Sequence, residues 1–314
     1  MLSPPTTRRM SWKGNGCRAV KIGQVLQETR KELSHQGGDE VAIEAEVLLM
    51  SAMGIGRASL YASLNNEISS ETVEALRDLV ERRVRMEPLA YITGHKEFYG
   101  LDFYVDQRVL VPRPETELLV EEVLNYVHRR SKDGVEIRDL ADIGTGSGAI
   151  AICLALHCPG ASVYATDISL EALEVAAINC NRHGVADRVQ LIPGYLLDPL
   201  PDAVDIIVAD LPYVDEADLI GAQGIGNSLG LWVGEPIVAL SGGTRGLDII
   251  GRFLQEAPRK LRPGGAIFLE MAWNQGSLVT DMAQKLYPGT ELVLSKDLAG
   301  HDRIFSIMTK NEGR

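Results

Sequence analysis

No stretch of this 314-residue chain is long and apolar enough to span a bilayer. The longest apolar run, residues 149–156, suits part of a buried helix, so no membrane association is expected. Basic residues are outnumbered: 31 Lys and Arg against 43 Asp and Glu leave a net charge of −12. That balance argues against a grip on nucleic acid through its phosphates, and no direct nucleic-acid partner is expected. Cysteine is scarce, and Cys17, Cys153, Cys158 and Cys180 show no metal-ligand or redox spacing, which leaves free thiols in apolar surroundings. The six histidines are nowhere paired with Cys or acids at ligand spacing, so no metal is expected. Residues 1–20 hold Arg8, Arg9, Lys13 and Arg18 but no acid, while Pro4-Pro5 and Gly14-Asn15-Gly16 interrupt any amphipathic transit helix. They read as a disordered extension.

What is present is a change of pattern along the chain. From 21 to 88 it is helical: Ile22, Val25, Leu26 and Leu33 share one face, then Val41, Ala45, Leu48 and Leu49. A further helix carries Val73, Leu76, Leu79, Val80 and Val84, acidic at its start and basic at its end, as the helix dipole favours. These segments predict a small helical bundle. Residues 89–112 have β composition (Phe98, Tyr99, Leu101, Phe103, Tyr104, Val105) with Gly100 as the turn, and predict a hairpin linker. Pro112 and Pro114 then stiffen a loop leading into a helix over 117–130.

From 113 to 314 strands and helices alternate. The expected strands are 139–143, 162–166, 188–192, 205–209, 266–271, 291–294 and 303–308. Continuous apolar strands between helices predict an α/β fold with a doubly wound, mostly parallel sheet. The last two strands, with little helix between them, suit an antiparallel edge hairpin.

Asp142-Ile143-Gly144-Thr145-Gly146-Ser147-Gly148 follows the first of these strands and opens a helix. Glycines permit the tight turn and a close ligand, and the helix N-terminus offers free N–H groups. With Ala149 in third place the segment also satisfies a dinucleotide fingerprint, so alone it does not separate a nicotinamide cofactor from S-adenosylmethionine. Asp167 ends the next strand, where a carboxylate can accept bonds from both ribose hydroxyls of either cofactor, or cap the following helix.

The strand over 204–209 runs into Asp210-Leu211-Pro212-Tyr213, at the end of the sheet where ligands bind. The tetrad resembles the [Asp/Asn]-Pro-Pro-Tyr motif of methyltransferases that modify amino or amide nitrogens. An amide nitrogen is a poor nucleophile because its lone pair is delocalised. Two acceptors holding its hydrogens, the Asp210 side chain and the Leu211 carbonyl, can turn that lone pair toward a methyl donor and stabilise the developing positive charge. Tyr213 would pack against the target.

Taken in order, a longer series of segments resembles the protein-(glutamine-N5) methyltransferases of the PrmC/HemK type. They are Pro88–Gly94, Glu97-Phe98, Val111–Glu117, the glycine loop, Thr166–Ser169, the Asp210 tetrad, Glu235-Pro236, Gly264-Gly265, Glu270–Gly276 and Asp302-Arg303. The resemblance implies a class I (Rossmann-like) methyltransferase sheet behind a helical domain that helps to dock the substrate. It implies S-adenosyl-L-methionine as cofactor, held by Asp142, Gly144, Thr145, Gly146, Ser147, Gly148, Asp167 and Asp210, with Tyr195 stacked on adenine. It implies a cytoplasmic enzyme whose partners are class I peptide chain release factors, methylated on the glutamine of their Gly-Gly-Gln loop.

This chain departs from the family where Asp210-Leu211 stands for Asn-Pro and Ala272 for Gly. Competing expectations are a nucleic-acid adenine N6-methyltransferase, a nicotinamide oxidoreductase and a methyltransferase fold kept only for binding. Among lesser residues, Trp273 is expected to pack in the core beneath the cofactor. Arg113 and Glu117 are expected to shape the pocket or pair with each other. His95 is read as a loop residue with no orienting acid close in sequence.

Overall fold

The computed structural model describes residues 20–34, 40–219 and 234–310; the expected extension, apart from Val20, and Cys17 lie outside them. The chain divides into two compact units, residues 1–93 and 94–314.

The first unit is helical: α1 (Ile22–Ser34), α2 (Val41–Met53), α3 (Arg57–Ala62), α4 (Ser70–Val84) and α5 (Leu89–Thr93). The apolar positions read from the sequence meet in one core, where Val25, Leu26, Leu33, Leu48, Leu49, Leu76 and Val80 cluster with Leu60. Ser69 caps α4 by accepting from the Thr72 amide at 3.1 Å. The stretch after Pro88 is a helical turn and not the start of a hairpin. The amides of Tyr91 and Ile92 both donate to the Pro88 carbonyl, and both side chains are buried.

In the second unit a hairpin pairs β1 (Lys96–Phe98) with β2 (Leu101–Phe103). Its turn residues, Tyr99 and Gly100, both have positive φ, which matches a type I′ turn. The main sheet contains β3 (Asp139–Ile143), β4 (Ser162–Asp167), β5 (Val189–Pro193), β6 (Val204–Ala209), β7 (Leu261–Glu270), β8 (Glu291–Lys296) and β9 (Asp302–Met308). Its order is β5-β4-β3-β6-β7-β9-β8. The first five strands are parallel, and β9 runs antiparallel to both β7 and β8. The expected closing hairpin is present, with β9 inserted beside β7 and β8 left at the edge.

Helices α6 (Thr116–Lys132), α7 (Ala149–His157), α8 (Leu170–Arg182), α9 (Asp248–Glu256) and α10 (Gly276–Leu286) cover the sheet. Successive strand residues feed opposite layers. Leu140, Ile206 and Val208 pack with α6 and α7, while Ala141, Ile143, Ile207 and Ala209 pack with α9 and α10. Cys153, Cys158 and Cys180 are buried free thiols in the first layer. The strand β7 begins five residues before the expected 266, because a register shift between Val204 and Ile206 lets Leu261 pair ahead of the glycine pair. The chain leaves β3 toward β4 and β5, then returns to place β6 on β3's other side. That reversal opens a crevice at the carboxyl ends of β3 and β6.

Candidate functional site

A cleft open to solvent occupies that crevice. Of the residues singled out in the sequence, Gly144, Gly146, Asp167, Tyr195, Asp210, Leu211 and Pro212 line it. Asp142, Thr145, Ser147, Gly148 and Tyr213 are not among its lining residues.

The glycine loop is built from beneath. Asp142 is fully buried; its Oδ2 accepts from the Thr145 hydroxyl at 2.6 Å and from the Ala151 amide at 3.1 Å. Burial pushes its pKa up to about 7. Asp142 and Thr145 thus tie the end of β3 to the first turn of α7, and the Asn179 amide holds the Ser147 carbonyl at 2.9 Å. Gly144 has φ 78°, and a Cβ there would sit 3.3 Å from Leu211 Cδ2, so the loop and the tetrad are in near contact. Asp167 closes the loop from β4. Its Oδ2 accepts from the Gly146 amide at 2.9 Å and its Oδ1 from the Ser169 amide at 2.8 Å. Capping of α8 falls to Ser169, whose hydroxyl accepts from the Ala172 amide, which leaves Asp167 to face the cleft. The Tyr195 ring carries the Arg252 guanidinium 4.6 Å from its centroid.

The tetrad stands at the end of β6. Asp210 Oδ2 accepts from the Thr116 hydroxyl at 3.3 Å. Burial pushes the Asp210 carboxyl up to about 6, against the pull of Thr116, Arg113 and Arg303. Leu211 is buried. The Tyr213 hydroxyl donates to Glu270 Oε1 at 3.3 Å, and burial carries its pKa well above the usual phenol range. Tyr213 lines a second cleft with Asp215, Arg245, Trp273, Asn274 and Gln275. The tetrad is therefore a wall with one cleft on each side.

Four residues with no role assigned from the sequence complete this wall. Thr116 and Glu270 meet the tetrad directly. The Gln275 amide donates to the carbonyls of Tyr213, Arg245 and Gly246, while its oxygen accepts from the Ala272 amide. Glu235 pairs with Arg113 and accepts from the Val111 amide at 3.1 Å. The position of Glu270 at the carboxyl end of a parallel strand is a signal that could have found it.

Three expectations are corrected. Arg113 and Glu117 do not pair: Arg113 binds Glu235, and Glu117 accepts from the Tyr99 amide at 3.1 Å. Trp273 is 61% exposed, not core, because the loop after β7 turns it toward His301 at the surface. His95 does have an acid partner, Asp102 at 2.9 Å, brought alongside by the hairpin; both are exposed. Among the described residues no His, Cys, Asp and Glu group could hold a metal ion, and no helix is long and apolar enough to cross a membrane.

Comparison with known proteins agrees with this architecture. Residues 24–94 match the family described as PrmC N-terminal domain, and residues 115–223 the methyltransferase small domain. The chain is 40% identical over 294 residues to the release factor glutamine methyltransferase of Moorella thermoacetica, covering 93% of this chain and 100% of that one. It is 36% identical to that of Bacillus subtilis over 296 residues, covering 93% and 99%. Among solved structures, the hMettl16 catalytic domain superposes with a TM-score of 0.51 at 15% identity, covering 77% of this chain and 82% of that one, a likeness of fold alone.

Proposed function

Because the chain belongs to the release factor glutamine methyltransferase family, we propose that it methylates the Gly-Gly-Gln glutamine of class I peptide chain release factors on its side-chain nitrogen. It is a methyltransferase by domain as well as by relatives. S-adenosyl-L-methionine is the methyl donor this reading requires. The residues present fit it: a cleft at the carboxyl ends of β3 and β6, lined by Gly144 and Gly146, whose lack of side chains leaves room for a close ligand, and the Asp167 carboxylate on the cleft wall. When bound, that cofactor supplies an activated methyl group. A partner that works in translation supports a cytoplasmic location.

The observation that carries the reading is the wall between the two clefts. Asp210, Leu211 and Pro212 line the cofactor side, and Tyr213 lines the other. An acceptor side chain entering past Tyr213 would bring its nitrogen to the Asp210 carboxylate and the Leu211 carbonyl. These accept its two hydrogens and hold its lone pair out of conjugation. The Asp210 charge also stabilises the cationic nitrogen, and its carboxylate takes the proton that the nitrogen sheds. Departure from Asn-Pro leaves both acceptors in place, since Asp supplies a carboxyl oxygen and any residue at 211 a carbonyl.

The test is incubation of the purified chain with S-adenosylmethionine and a class I release factor, read by peptide mass spectrometry. One added methyl on the Gly-Gly-Gln glutamine, absent when that glutamine is replaced, is expected. No methylation, with cofactor bound and a family enzyme active on the same factor, would reject the acceptor.

A further inference from the structure

Asp210 does not stand alone at the sheet end. Ala209 pairs with Leu269 across β6 and β7, so Asp210 and Glu270 are neighbours at the carboxyl ends of adjacent parallel strands. Glu270 is 1% exposed, and its Oε2 is buried without a hydrogen-bond partner. Its Oε1 accepts the long bond from the Tyr213 hydroxyl. The Thr116 hydroxyl of α6 faces both carboxyls. Arg303 of β9 acts on both, Arg113 on Asp210 alone, and Asp142 of β3 adds a further negative neighbour to Asp210.

Two carboxylates this close in a dry site do not both ionise. The charge settles where it is better solvated. Asp210 lines the cofactor cleft and is partly exposed, and it has the additional cation. Glu270 has neither, and an ionised Oε2 would be an unpaired buried charge.

Resting on the methyl-transfer reading above, we propose that Glu270 is a positioning residue that keeps the pair's single negative charge on Asp210 and anchors the Tyr213 hydroxyl. Burial, then the Asp210 charge, hold the Glu270 carboxyl far above the ordinary carboxylate range, in agreement with that role. The consequence is specific to a chain with Asp at 210. With Asn there, no charge would need assigning between the two positions.

The test combines infrared spectroscopy with turnover on the full-length protein. The difference spectrum of wild type minus Glu270→Gln at neutral pH should show a protonated-carboxyl band, beyond the signal that Asp142 gives in both proteins. Turnover of Glu270→Gln should stay within about threefold of wild type, since the amide keeps an acceptor for Tyr213. Glu270→Ala should lose at least about tenfold through loss of the anchor. The acid limb of the pH–rate profile should keep its position in Glu270→Gln, because one neutral group replaces another. Absence of that band from the difference spectrum, Glu270→Gln as impaired as Glu270→Ala, or an acid limb displaced to lower pH in Glu270→Gln would each overturn the assignment. The infrared measurement needs no turnover. A wild type unable to methylate a release factor would reject the proposed acceptor and leave the band to decide Glu270.

Discussion

Glu46 of the helical unit and Glu270 of the sheet unit are buried almost equally, at 3% and 1% exposure. Glu46 accepts from Tyr61 at 2.7 Å, Arg30 at 2.7 Å and Arg57 at 2.9 Å. The Tyr61 bond, with both arginines, outweighs burial and holds its pKa below the ordinary value. Glu270 has a long bond from Tyr213, a Thr116 hydroxyl shared with Asp210 and an orphaned oxygen, and burial drives its pKa up. Burial therefore does not separate a structural acid from a functional one; the supply of donors does. In the bundle, three donors satisfy the buried acid. A site that must offer acceptors to a ligand leaves carboxyls short of donors.

The largest effect should come from the carboxyl nearest the chemistry. Asp210→Ala is expected to lower turnover by about a hundredfold to a thousandfold, as loss of a preorganised charge does, with the fold retained by circular dichroism. An Asp210→Ala enzyme as active as wild type would remove the sheet unit's acids from the reaction. Wild-type turnover should also fall as pH drops through about 6, where Asp210 takes up a proton.

Next in size is Gly246→Ala. A Cβ there would lie 1.9 Å from the Tyr213 carbonyl at a residue with φ +67°, so the loop that fixes Tyr213 must move. Turnover should drop by about tenfold to a hundredfold, measured alongside cofactor affinity, which should change far less because this loop faces the other cleft. In the helical unit, Glu46→Ala strips three bonds and should cost about 2 kcal/mol of stability by urea unfolding. A cost near zero would mean that Glu46 is no better served than Glu270.

How much of this was legible depended on the range of the interaction. The β3 strand, the glycine turn and the tetrad are local patterns, readable because side-chain period and turn chemistry act over a few residues. The five parallel strands follow from the same continuous apolar runs. Glu270 beside Asp210, Arg113 on Glu235 and Gln275 under Tyr213 join positions 60, 122 and 62 residues apart. No spacing rule encodes such meetings; they follow from strand order. Trp273 misled because its apolar surface suggests burial, whereas a large aromatic at a loop tip can remain exposed.

The smallest expected effect separates the two acids by sign. Glu46 has a depressed folded pKa, so its contribution to stability is present above the unfolded value near 4.5 and is lost as pH falls through the folded one. The deficit of Glu46→Gln relative to wild type should therefore narrow on acidification. Glu270 has a raised folded pKa. Above the unfolded value the unfolded chain releases a proton that the folded chain retains, and wild-type stability is eroded as pH rises. Glu270→Gln should match wild type in acid and gain on it toward neutral pH, with a slope of at most about 1.4 kcal/mol per pH unit for one proton. Urea midpoints of both variants across that range, at constant m-value, supply the measurement. Slopes of the same sign would mean that the two sites treat a buried carboxyl alike, and the distinction between a satisfied acid and a poised one would fail.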